Sequence, residues 1–423
     1  MTAKEREEIL DTALSAGTML LQCGAETRRA EETVVMIAGH YGLDIRKSSF
    51  SLTNGLMVSY YDEESNTNLT EIRSVPIGDT RLDLLILVNQ LSRDIVDGKY
   101  TVPEARKKLE EIGKVRPYHF ALRTLGCFIA VALFSMMFGG NWKDMLAAGV
   151  SGALTYVVAV LLSGRIPGLI VNMAGGVVMA LSSFIAVLLI PGAELSVPIV
   201  FIGAVMPLVP GVAFANGVRD IGYGDFLSGM VRLLNAILTF TALAAGAGLV
   251  YGFFKLAGVE IPVSLNLTYA PAFPFGVLAA AFATVGFSML YHVSWRHMPF
   301  IGVTGAVCWL VFLVFNAKMG LGPAAFFASV GLAFCSFLFS RVKRCPMTVF
   351  LVPGIIPIVP GCTLFFSVFD LLRGNYHDAA VLAAQSIIIC GAIVLGTALV
   401  SVIPGRFFAL FSPKNKAGEK KGR

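Results

Sequence analysis

Two apolar stretches of this chain break where a helix in a membrane should continue. Residues 206–220 read MPLVPGVAFANGVRD, and residues 356–370 read IPIVPGCTLFFSVFD. Each sits in an apolar run long enough to cross a hydrocarbon core of about 30 Å. Proline lacks the backbone N–H and clashes with the preceding turn. A helix carrying Pro207, Pro210 and Gly211, or Pro357, Pro360 and Gly361, is therefore expected to break there. Broken backbone inside lipid is tolerated only where protein or a wet cavity satisfies the freed groups. Gly211 and Gly361 lie 150 positions apart, as do Asp220 and Asp370, so the two segments align without a gap. Matched Pro/Gly-interrupted apolar segments point to a substrate site where two halves of a carrier meet.

The rest of the chain sets that pair in context. Of 423 residues, 56% are hydrophobic and only 14% charged, whereas a soluble domain carries about a quarter charged residues. The formal charge of +6 falls in short basic clusters beside apolar runs and in the tail 413–423. That is a topology signal and not a nucleic-acid face. Seven cysteines are scattered without C-x-x-C spacing and read as reduced, packed thiols. No metal-ligand spacing, cofactor motif or phosphate-binding G-x-x-x-x-G-K-[ST] loop occurs. The charged start, MTAKEREEILD, lacks the apolar core of a signal peptide.

Residues 1–116 have ordinary polarity and read as a small cytoplasmic α+β domain. A helical stripe runs over 5–22, a second helix over 25–41 with Gly42 as its stop, β-rich stretches over 48–61 and 68–77, and helices over 79–97 and 103–112. Within it, GAETRRAEE concentrates Glu26, Arg28, Arg29, Glu31 and Glu32. Pairs at helical spacing suit a solvated face, and no nucleophile or acid–base arrangement marks an enzyme.

From Tyr118 onward ten hydrophobic spans can be drawn: 120–138, 145–162, 167–190, 197–218 and 226–254, then 270–291, 299–315, 320–339, 348–369 and 379–408. Residues 134–153, FSMMFGGNWKDMLAAGVSGA, match 287–306, FSMLYHVSWRHMPFIGVTGA, at nine of twenty positions. The membrane part is thus read as a duplicated five-span unit, with repeats 117–258 and 259–412. Five is odd, so the second copy must enter facing the other way, giving an inverted repeat. Basic residues Arg165, Arg219, Arg296, Arg341, Lys343 and Arg344 fall on the side of the front domain. Both termini are accordingly expected in the cytoplasm, with the chain multi-pass in the plasma membrane.

Polar groups inside the spans complete the candidate site, since lipid penalises them unless partnered or wetted. Asn172, Asn216, Asn235, Asn316 and Gln385 are the amides, and Asn235 and Gln385 correspond at the same spacing of 150. Such groups also serve as glue between helices. Arg232 is a candidate for gripping a substrate carboxylate, or could snorkel to the surface. Asp220 and Asp370 follow their glycines by nine residues, about 13 Å of helix. They read either as boundary carboxylates beside Arg219 and Arg373 or as proton-coupling groups at the two vestibules. The expected substrate-binding set is Pro207, Pro210, Gly211, Asn216, Arg232, Asn235, Pro357, Pro360, Gly361 and Gln385. The glycines at 149, 152, 175 and 176 are expected to let helices approach closely.

The runs GAETRRAEETV at 24–34, SLTNGLMVSY at 51–60 and TEIRSVPIGDTRLDLLILVNQLSRDI at 70–95, followed by two units with V-P-G breaks, resemble the threonine/serine exporter family in its fused ten-span form. The resemblance implies proton-motive-force-coupled export of threonine, serine or a small organic acid, without a cofactor. Split relatives are linked to dicarboxylate export, so succinate-type export stands as an alternative. A membrane-tethered hydrolase or sensor in the front domain is an alternative of another class. Homo-oligomerisation is left open.

Overall fold

The computed structural model describes residues 1–45, 49–62, 66–76, 78–189, 195–222, 224–259 and 274–402, without the side chains of 62, 211, 212, 215, 216, 218, 219, 401 and 402. The expected span ends near 408, the basic tail at 413–423 and the start of the second repeat near 260 lie outside them.

The N-terminal segment is α+β, as its changing periodicity predicts. Helix α1 (Ala3–Gln22) opens on a capping box between Thr2 and Glu5 and buries Ile9, Leu10, Ala13, Leu14, Gly17, Leu20 and Leu21. Helix α2 (Thr27–His40) stops before Gly42, whose φ of +93° only glycine adopts without strain. Strands β1 (Ser49–Leu52), β2 (Gly55–Asp62) and β3 (Thr67–Ser74) form an antiparallel sheet in chain order. The β-rich stretch 48–61 therefore holds two strands, because Leu52 pairs with Gly55 around Thr53-Asn54. Helix α3 (Leu82–Val96) and helix α4 (Val102–Gly113) follow. The second opens on a capping box between Thr101 and Glu104 and has a proline in its first turn.

The remaining helices are apolar and most are long: α5 (Phe120–Met137), α6 (Trp142–Leu162), α7 (Gly168–Leu189), the short α8 (Val197–Val205) and α9 (Gly211–Gly222), then α10 (Phe226–Leu256). The second set comprises α11 (Phe275–Leu290), α12 (Met298–Met319), α13 (Leu321–Lys343), α14 (Thr348–Gly354), α15 (Gly361–Arg373) and α16 (Tyr376–Val402), with a 3-10 turn at Ile356–Ile358 between α14 and α15. Among the described residues seven helices are each long and apolar enough to cross a membrane. The α14–α15 pair, bent by 48°, would make an eighth.

Packing follows one scheme twice. In the first set α5 packs on α6, α6 on α7, α7 on α10 and α9 on α10, while α8 touches α5, α6 and α7. In the second, α11 packs on α12, α12 on α13, α13 on α16 and α15 on α16, while α14 touches α11, α12 and α13. The sets join along α5–α11 and through the reciprocal contacts α10–α15 and α9–α16. Small residues set the register, because helices in lipid gain little from hydrophobic burial and depend on close packing. A Cβ at Gly152 would run into Val131 of α5, and one at Gly305 into Thr284 of α11. Gly149 lies against Phe128 and Ala132, and Gly302 against Ala281 and Val285. Each pair of contacts is shifted by 153 positions, the spacing of the matching blocks.

The N-terminal segment is not packed apart from the rest. Its apolar core, with Leu10, Leu14, Val34 and Leu85, runs on into Val293, Ile301, Cys345, Val349, Phe350 and Val352 of the second set.

Candidate substrate site and its flanking ion pairs

Both proline-rich segments break the helix as the sequence predicts. In the first, α8 ends at Val205, and a new helix starts only at Gly211, with Phe214 N–H donating to the Pro210 carbonyl at 2.9 Å. In the second, the Ile356–Ile358 turn gives way to an extended Val359, and Gly361 N–H donates to the Val359 carbonyl at 2.8 Å. A helix start leaves N–H groups without intrahelical partners and a positive dipole end, while a helix stop leaves carbonyls. Each break therefore offers donors suited to a carboxylate and acceptors suited to an ammonium.

The two breaks meet. A Cβ on Gly361 would strike Val209 Cγ1, so only a residue without a side chain lets the segments touch there. The Cys362 thiol lies 3.3 Å from Met206 Sδ. Phe201 of α8 packs its ring on Phe365, Phe366 and Phe369 of α15, at 5.7, 5.9 and 5.8 Å between centroids. Pro357, Pro360 and Gly361 are buried, and Pro207 and Pro210 half-buried. Beside this crossing the hydroxyls of Thr363 and Ser386 lie 2.7 Å apart, with Thr363 donating to the Pro360 carbonyl at 2.9 Å. Sequence reasoning missed this pair. Its one signal is a hydroxyl two residues past the broken glycine, and the positions 150 earlier are Ala213 and Ala236.

The other predicted groups are spread more widely. Asn172 Nδ2 donates to Thr239 Oγ1 at 3.4 Å, and Thr239 donates to the Asn235 carbonyl at 2.9 Å, linking α7 to α10. The Asn235 side chain faces outward, while Gln385 is half-buried on α16 beside Ser386. Asn216 lies on α9, and its side chain falls outside the described set.

The carboxylates end their helices alike, but their partners differ. Asp225 N–H donates to the Asp220 carbonyl and Asn375 N–H to the Asp370 carbonyl, both at 2.9 Å. Gly224 (φ +89°) and Gly374 (φ +85°) make the turn that allows it. Asp220 and Asp370 are both buried, at 8% and 5% exposure. Arg232 Nε lies 2.9 Å from Asp220 Oδ2, and Arg232 Nη2 donates to the Ala25 carbonyl at 3.4 Å. The guanidinium expected to grip a substrate carboxylate thus holds the carboxylate of its own chain. Asp370 is met by Arg373 and Asn375, each at 3.5 Å. Arg373 in turn donates to the Tyr251 hydroxyl at 3.1 Å, and its guanidinium sits 4.4 Å above that ring. Beside it a cavity of about 550 Å³ is lined by Tyr251, Lys255, Arg373 and Asn375. A larger groove of about 870 Å³ between α6 and α7 is walled mainly by apolar residues such as Val150, Leu154, Leu181 and Ile185, with Lys143, Ser151 and Ser182 among them.

Elsewhere little chemistry is offered. Six of the seven cysteines are buried and all are free. Burial pushes the Cys23 thiol up to about 12 and Cys345 to about 11, away from the thiolate that reactivity needs. Among the described residues no group of His, Cys, Asp or Glu could hold a metal ion. The charged run in α2 is only partly a solvated face. Arg28 pairs with Glu32 on the surface at 2.9 Å. Arg29 instead bonds Asn89 Oδ1 at 2.8 Å, and Glu31 accepts from Ser49 and Ser51 at 3.0 and 3.2 Å.

Comparison with known proteins divides the chain where the two helix sets divide. The family described as "Putative threonine/serine exporter" matches residues 11–254, and that described as "Threonine/Serine exporter, ThrE" matches residues 276–403. A protein of Corynebacterium glutamicum named "Threonine/serine exporter" is 23% identical over 405 residues, covering 92% of this chain and 81% of the relative. One of Mycobacterium tuberculosis named "Probable threonine/serine exporter" is 24% identical over 428 aligned residues, covering 97% and 80%. No solved structure matches. With the first family description alone spanning more than half of its length, and seven apolar helices to place in a bilayer, this chain belongs to the threonine/serine exporter family of multi-pass membrane proteins.

Proposed function

We propose that this chain is a secondary exporter of threonine and serine that binds its substrate where the two broken segments cross. The contact of Val209 with Gly361 carries this reading, because it puts two helix starts and two helix stops at one place. A zwitterionic amino acid presents one carboxylate for the N–H groups and one ammonium for the carbonyls. The breaks at Pro207, Pro210 and Gly211 and at Pro357, Pro360 and Gly361 form the site, with Asn216, Asn235 and Gln385 on the helices that surround it and Arg232 held by Asp220 at one end. Asp220 and Asp370, each in an ion pair, are its proton-coupling groups at opposite ends. Protonating either carboxylate would release its arginine, which gives a route from proton binding to movement.

In this reading the two sets are inverted five-span repeats, ten spans in all, that rock about each other in alternating access. The duplicated helix pairing supports that arrangement. The N-terminal segment and both termini face the cytoplasm of a plasma-membrane protein, and the chain performs no covalent chemistry. The test is efflux of labelled threonine or serine from proteoliposomes under an imposed proton gradient. Pro210→Ala and Gly361→Leu should each slow it by at least about tenfold, because a displaced site loses its geometry. Efflux at the parent rate in both variants would remove the crossing from the site.

A further inference from the structure

The N-terminal segment touches both helix sets, and its two attachments differ in kind. Toward the second set it is anchored through the continuous apolar core with Val293, Ile301, Val349 and Phe350. Backbone ties add to the anchor. Leu82 N–H donates to the Tyr291 carbonyl at 3.0 Å, and the Tyr118 hydroxyl to the Val293 carbonyl at 2.8 Å. Among the described residues that core draws no buried residue from α5–α10.

Toward the first set the attachment is polar and falls on the α9–α10 turn. The Thr27 hydroxyl donates to Asp225 Oδ2 at 2.7 Å, Arg232 to the Ala25 carbonyl at 3.4 Å, and the Thr53 hydroxyl to the Ser228 carbonyl at 3.4 Å. Asp225 is central to that turn. Its Oδ1 accepts from Ser228 N–H at 3.4 Å at the start of α10, and its own N–H bonds the carbonyl of Asp220. Arg232 continues the connection by bridging Asp220 to Ala25. A grip on Thr27 is thus a grip on the turn that carries the Asp220–Arg232 pair. Hydrogen bonds of this sort exchange readily for bonds to water, whereas a buried apolar anchor does not.

We infer that Ala25–Thr27, with Thr53, are a latch by which the N-terminal segment, fixed to the second set, holds the α9–α10 turn of the first. Movement of the first set against the second on this face requires the latch to open. The inference rests on the alternating-access reading above and assigns the N-terminal segment its part in it.

The full-length chain tests it in two ways. In proteoliposomes, Thr27→Cys with Asp225→Cys is joined by a short, reducible bis-thiol reagent, with each single variant treated alike. Threonine efflux should fall to background on cross-linking and return on reduction. Undiminished efflux from the cross-linked chain would overturn the latch. The second readout needs no substrate. In hydrogen exchange on the intact protein, Thr27→Val should speed exchange at residues 224–228 and 25–27 together, while Thr27→Ser keeps the parent rates. Unchanged exchange in Thr27→Val would equally overturn the latch. A parent protein that moves no threonine would instead sink the proposed substrate, and exchange would still decide the latch.

Discussion

His292 sits in the turn between α11 and α12 at φ +57°, 3% exposed, and its Nδ1 accepts the N–H of Tyr118 at 3.0 Å. Burial pushes its pKa down from 6.5 to about 4, and nearby Arg81 adds to the effect. The docked state therefore holds the neutral ring, while an undocked ring would take a proton near pH 6.5. Docking is complete above about pH 6.5 and weakens as pH falls toward 4, by roughly 1.4 kcal/mol per pH unit. Fluorescence of Trp295, whose ring lies 6.0 Å from Tyr118, should report the loosening. The pH dependence should vanish in His292→Asn, since asparagine tolerates the left-handed backbone and keeps an acceptor. The contact with Tyr118 could not be read from YHVSW, because it depends on a partner 174 positions away. Arg232 shows the same limit. The sequence marks it as costly in a membrane, but its two partners come from a different helix and from the front of the chain.

At the scale of elements, the close approaches follow glycine. Gly176 of α7 leaves no room for a Cβ beside the Leu243 carbonyl of α10, and Gly246 of α10 none beside the Met173 carbonyl of α7. Backbone atoms cannot step aside as a side-chain tip can. Gly176→Val should lower unfolding stability in detergent by about 1–3 kcal/mol. Gly248→Ala on the same α10 should change it little, since its added Cβ meets nothing within 4 Å. Equal losses in thermal or denaturant unfolding would show that packing is not the cause. Helix limits, caps and both breaks were legible because proline, glycine and capping residues act locally. The division of 48–61 into two strands was marked by Asn54-Gly55, a turn signal that apolar periodicity obscures. The deep burial of Val349 and Phe350 was not legible. An apolar side chain faces lipid or protein with the same letter, and only the docked N-terminal segment decides between them.

For the molecule as a whole, duplication was legible in the FSM, Trp and GV[ST]GA blocks, and the helix pairing repeats with it. Where the halves touch was legible only at the breaks, whose counterparts had to meet if the copies oppose each other. The α5–α11 contact had no such marker. Here the two first helices pack on each other: a Cβ at Gly126 would lie 2.7 Å from Met289 Cβ, and one at Gly286 would lie 2.7 Å from the Gly126 carbonyl. In the alternating-access reading proposed above, a seam where matching helices pack this tightly is the expected pivot, and points at a pivot do not separate as the halves rock. Spin labels on α5 and α11 should therefore keep one distance through a transport cycle, while labels on α9 and α16 change theirs. Pulsed electron resonance with and without a proton gradient would measure both. In that cycle the glycine seam would be the fixed datum against which every other displacement in the protein is gauged.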